Sequence, residues 1–136
     1  MAQQSNLSTN RDDPTIDDAS EVWRRIPPNH FYYDEDLRLV RPQSSAFCNH
    51  PDSSPMSVVL VEKGRNIDRA KVLEGHGGYG LVSFSVGFAR SLGQGVTREP
   101  TSHEPDHAHV VGKKTTSIKR KLAKKSKWIV PPPANN

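Results

Sequence analysis

The sequence predicts an α+β fold, a mainly antiparallel sheet with two short helices and a disordered acidic N-terminal arm. Three observations carry that prediction. Met56 to Glu62 is a nearly unbroken apolar run rich in Val, the pattern of a central strand covered on both faces. From Leu81 to Phe88, Val82, Phe84, Val86 and Phe88 alternate with Ser83, Ser85 and Gly87, the period of two that a strand imposes. From Thr116 to Lys127, a helix at 100° per residue puts Ile118 and Leu122 on one stripe and surrounds it with Lys and Arg.

The remaining elements follow in chain order. Residues 1–20 are polar and acidic with almost no apolar side chains, the composition of a disordered arm. Val22 to Ile26 reads as an edge strand, because Pro27 and Pro28 follow it and Pro cannot continue a ladder. Asn29 to Asp36 reads as an aromatic and acidic loop, Leu37 to Val40 as a short segment closed by Pro42, and Ser44 to Cys48 as a strand. Asn49 to Pro55 is turn chemistry throughout. Asn66 is the expected N-cap of a helix carrying Ile67, Ala70 and Leu73, with Gly75 as its stop. Val96 opens a short strand that ends before Pro100, and His109 to Val111 forms another. Thr116 or Ser117 caps a helix of about ten residues. Trp128 to Val130 is a last strand, and Pro131 to Pro133 end the order. The division is therefore a 1–20 arm, one domain over 21–130 and a Pro-rich tail over 131–136, without internal repeats.

Composition narrows the function classes. Leu, Ile, Val and Phe number 29 of 136 residues, near the limit below which chains stop folding, but 27 of them fall between Val22 and Val130, so one core is expected there. No run approaches the ~20 apolar residues of a membrane span, and the N-terminus has no apolar signal region. The single cysteine, Cys48, excludes an internal disulfide framework and a multi-Cys zinc site; its expected role is that of a small buried hydrophobe. Charge is segregated. Residues 1–37 hold eight acids against three Arg, whereas residues 113–127 hold eight Lys or Arg and no acid. Such asymmetry concerns partners more than fold, and an acidic arm could compete with an anionic ligand for the basic tail.

Four motifs bear chemistry. The glycine cluster Gly75 to Gly80 invites a phosphate-loop reading, but a helix precedes it and a strand follows, the reverse of a phosphate cradle, so it reads as a helix cap and turn. His103, His107 and His109, with Glu99 and His50 as further ligands, form a candidate divalent-metal or catalytic group, since residues two apart on a strand share a face. Arg41 beside Ser44 and Ser45 is a candidate anion site. The basic segment is the strongest signal. Arg120, Lys121, Lys124 and Lys127 fall within an arc of about 120°, and together with Lys113 and Lys114 they suit a phosphate backbone. The apolar stripe is too thin for membrane insertion, and Trp128 either anchors the element or stacks on a base.

The runs WRRIPP (23–28), RPQSSAF (41–47), MSVVL (56–60), EPDHAHVVGKK (104–114) and LAKKSKWIVPP (122–132) resemble those of small bacterial proteins of similar length. The resemblance spans Trp23 to Val130. It implies a bacterial cytoplasmic setting and transfers no activity or catalytic residue. Three function classes follow, in order. The first is an accessory protein whose basic helix binds nucleic acid. The second is an interaction subunit that docks an enzyme or toxin-like protein through the acidic arm or through Phe31, Tyr32 and Tyr33. The third is a small hydrolase or transferase built on the His103–His109 group. The reading favours a binding protein over an enzyme, with no cofactor beyond that candidate divalent metal.

Overall fold

The computed structural model describes residues 11–51 and 54–133. The chain is an α+β fold. Its main sheet has six strands, β1 (Glu21–Ile26), β4 (Met56–Val61), β5 (Gly80–Ser85), β6 (Gly95–Arg98), β7 (His107–Val111) and β8 (Lys127–Val130), in the order β6-β7-β4-β1-β5-β8. Every pairing is antiparallel. A separate hairpin joins β2 (Phe31–Asp34) to β3 (Leu39–Pro42). Three helices complete the set, α1 (Arg69–Val72), α2 (Val86–Ser91) and α3 (Thr116–Lys125).

Alternation along the central strands divides the apolar side chains between two faces. Val22, Val58, Leu60, Val82 and Phe84 point into the larger core, which Phe47, Val86 and Ala89 of α2, and Leu122 and Ala123 of α3 close. Trp23, Val59 and Leu81, one residue out of phase, point to the opposite face, where Val72 of α1, Ile67 and Leu73 cover them. Met56 to Val61 is therefore buried on both faces, as its composition predicts.

Several expectations are corrected. Residues 1–10 lie outside the described residues, but residues 11–20 are not a loose arm: Ile16 and Ser20 are buried, and Asp13 N–H donates to the Val96 carbonyl at 2.8 Å. Val22 to Ile26 is a central strand, not an edge, because Pro27 and Pro28 lie past its last paired residue and cost the ladder nothing. Asn29 to Asp36 contains β2, since Tyr32 and Tyr33 pair with Arg41 and Val40. Ser44–Ala46 is a 3-10 turn instead of a strand. The α1 helix is a single turn capped by Asp68, which accepts from Ala70 N–H, and not by Asn66. The alternating run breaks at Ser85, whose hydroxyl accepts from Phe88 N–H and starts α2, so the described residues hold three α-helices instead of two.

The glycine cluster is the expected turn, but the preceding helix ends earlier than Gly75, with Leu73 as its C-cap. Gly75 and Gly78 take φ of 77° and 82°, a region that favours glycine, and Gly80 enters β5 where a Cβ would collide with the Trp128 ring. Thr115, not Thr116 or Ser117, caps α3 by accepting from Ile118 N–H. No helix among the described residues is long and apolar enough to cross a membrane.

Candidate anionic-ligand groove

The α3 helix is amphipathic as its sequence requires. Leu122 is fully buried and Ile118 packs against the core, while Arg120, Lys121 and Lys124 are exposed. Leu122 and Ala123 seat the helix on the larger core, close to the Ser44–Ala46 turn. That docking has a consequence the linear sequence does not display. Arg120 and Lys124, one helical turn apart, face Arg41, Ser44 and Ser45 across an open groove of about 510 Å³. Pro42 and Ala123 line it between the polar groups, and Tyr32 of β2 stands at its side.

Two motifs separated by more than 70 residues thus line one groove. Three cations line it and no carboxylate does. Arg41 keeps one acidic neighbour, Asp34, at 3.5 Å. Among the described residues no acid lies within ion-pair distance of Arg120 or Lys124. Arg120 and Lys124, like charges one helical turn apart, repel one another, and an anion relieves that repulsion.

The other basic residues are placed differently. Lys113 and Lys121 are exposed but do not line the groove. Lys127 is not on the helix face: it opens β8, paired with Ser83. Lys114 turns inward, and its Nζ donates to the carbonyls of Val110 and Gly112 at 3.0 and 2.9 Å. Burial, with Arg24 nearby, pushes the Lys114 amine down to about 8. Trp128 anchors the C-terminal element, donating from Nε1 to the Val40 carbonyl at 2.8 Å and meeting Phe31 edge-on.

The histidine group is only partly assembled. The His107 and His109 rings meet edge-on with centroids 5.1 Å apart. His107 Nδ1 donates to the Glu99 carbonyl, which leaves Nε2 as the lone-pair nitrogen of the neutral ring. Burial foremost, and His107 next to it, hold His109 below the ordinary imidazole range. His50 Nε2 contacts the Ser57 hydroxyl, and the Glu99 carboxylate is taken by Thr97 and Arg11. Among the described residues no three His, Cys, Asp or Glu side chains converge as metal ligands. Instead His103 and His107 line a second cleft of about 500 Å³ with His76, a residue the sequence reading placed in a turn. Its Glu104 is held by Arg25 at 2.8 Å, a hydrogen bond that keeps the carboxyl below its usual range, and its Asp106 by Arg65 at 2.7 Å. No Ser, Thr or Cys lines that cleft, whose polar lining is Arg, Lys, His, Asn, Asp and Glu. Cys48 is half-buried and its thiol unbonded to another cysteine. No family model, curated protein or solved structure matches the chain.

Proposed function

We propose that the chain is a small bacterial cytoplasmic accessory protein that binds an anionic partner, nucleic acid, through the groove between α3 and the Ser44–Ala46 turn. The observation that carries this reading is the convergence of Arg41, Arg120 and Lys124 on one open groove that no carboxylate lines. Two serine hydroxyls at its rim match phosphate oxygens, and neutralised phosphates release counterions, which is the main source of affinity for such a surface.

The test is a salt titration with labelled DNA and RNA. If the three cations each neutralise one phosphate, log affinity against log salt slopes by about −2.7 on duplex DNA and about −2.1 on a single strand. Replacing Arg120 and Lys124 together with Gln flattens the slope by about two phosphate equivalents and weakens all sequences alike. The fold survives, because both side chains are exposed. Absence of binding to either nucleic acid at low salt removes the reading.

A protein partner is the second reading, supported by the hairpin. Tyr33, Leu37 and Leu39 are exposed there by 57%, 54% and 46%, a set of large apolar side chains on one small element. A stoichiometric protein retained through native purification, and released by Leu37→Asp, would favour it.

A further inference from the structure

Resting on the reading of the groove as a nucleic-acid site, we infer that its ligand is a single strand, with a base stacked on Tyr32 while Arg120 and Lys124 hold the backbone. Tyr32 is directly opposite Arg41 in the hairpin register, so both side chains leave the same face of the β2–β3 ribbon. That face borders the groove, and the tyrosine is 43% exposed. An exposed aromatic ring is costly to keep in water, and here it is positioned beside three cations.

The combination of a cationic track and an adjacent aromatic platform is how a protein holds unpaired nucleotides without reading their sequence. A duplex cannot use it, because its base faces are already covered by stacking and only edges and phosphates are offered. The shape agrees. The groove is a concavity between the hairpin and α3, with Pro42 and Ala123 as apolar lining, and about 510 Å³ is a volume typical of a small-ligand site. Gln43 at the turn presents an amide to a base edge, although its Oε1 already accepts from Ser45 Oγ at 3.3 Å.

The experiment compares a labelled single strand of ~10 nucleotides, oligo(U) or oligo(dT), with a hairpin duplex of equal nucleotide count, on the full chain, the strand length being within the site sizes of such folds. The single strand is expected to bind tighter. Tyr32→Ala weakens it by roughly 5- to 150-fold and leaves the salt slope unchanged, because stacking carries no charge. Tyr32→Phe keeps near-normal binding. Tyr33→Ala, on the same strand but outside the groove, has no effect. If Tyr32→Ala fails to fold, Tyr32→Leu preserves strand packing without a π face and shows the same loss. Equal or tighter duplex binding, or a single-strand affinity indifferent to Tyr32→Leu and Tyr32→Ala, overturns the stacking inference while the anionic groove stands. No binding of any probe, duplex included, removes the groove reading itself.

Discussion

At the scale of single residues, the least expected feature is a pair of enclosed cations without carboxylates. Arg24 donates to the carbonyls of Ala46 and Ser57 at 3.0 and 2.8 Å, and burial lowers its affinity for a proton. Lys114 does the same with Val110 and Gly112. Main-chain carbonyls compensate these charges only in part, which is why the Lys114 amine falls to about 8. The sign of its pH dependence follows. Below about 8 the amine is protonated in both states and its penalty on folding is complete. Between about 8 and the unfolded value near 10.5 the unfolded chain binds more protons, so this contribution to stability rises with pH. Urea unfolding of the wild type and of Lys114→Met should therefore show the difference between them moving in favour of the wild type on going from about pH 7 to about pH 10. A pH-independent difference would show that Lys114 is solvated in the fold.

Among the elements, the turn from β5 into α2 decides where the second helix begins. The strand and the helix share one continuous run of apolar and small residues, and no Pro or Gly marks the boundary before Gly87. Ser85 marks it through its side chain, which accepts from Phe88 N–H at 3.0 Å. Val86 N–H and Gly87 N–H turn to the carbonyls of Ser20 and Asp18, at 2.8 and 2.9 Å. Ser85→Ala should cost about 1 kcal/mol, the usual value of an N-cap, measured by thermal or urea unfolding. In α3 the apolar side is less forgiving. Leu122→Asp buries an unpaired charge in the larger core, and it should unfold or loosen the C-terminal element while the exposed Lys121→Gln leaves stability unchanged. Loss of near-ultraviolet Trp signal, since Trp128 follows the helix directly, would report that loosening.

At the scale of the whole molecule, the acidic segment from Arg11 to Ser20 is part of the fold. Asp12 and Asp18 pair with Arg90 of α2, at 3.1 and 2.6 Å, and Asp13 pairs with Arg98 of β6. Asp12 also accepts from Val96 N–H at 2.9 Å, so the segment covers the exposed edge of β6 and supplies the missing ladder partners. Gly95 sits where any Cβ would overlap the Arg11 carbonyl. Gly95→Ala should therefore expel the segment, and Ile16→Ala, fully buried in the native chain, should cost about 2–5 kcal/mol. Deleting residues 1–20 should lower the unfolding midpoint and not tighten nucleic-acid binding. Tighter binding with unchanged stability would restore the idea of a competing arm.

What the sequence determined by itself is what local physics decides. Composition and periodicity specify the α+β class, the doubly buried β4, the amphipathic α3, and the glycine turn, because each depends on side chains within a few residues of one another. They also mark Arg41, Ser44, Ser45, Arg120 and Lys124 as candidates, though as two unrelated motifs. Only the tertiary structure decided the rest. Whether a strand is central or at an edge depends on which distant strands flank it, and for β1 these are β4 and β5. Whether a polar acidic segment is ordered depends on arginines some 80 residues away. Whether a lysine faces solvent or carbonyls depends on the loop it closes, which separates Lys114 from Lys113 despite adjacent positions. The groove belongs to this second class: its two walls meet because Leu122 and Ala123 bury against the core beside the Ser44–Ala46 turn, a long-range contact that no spacing along the chain encodes.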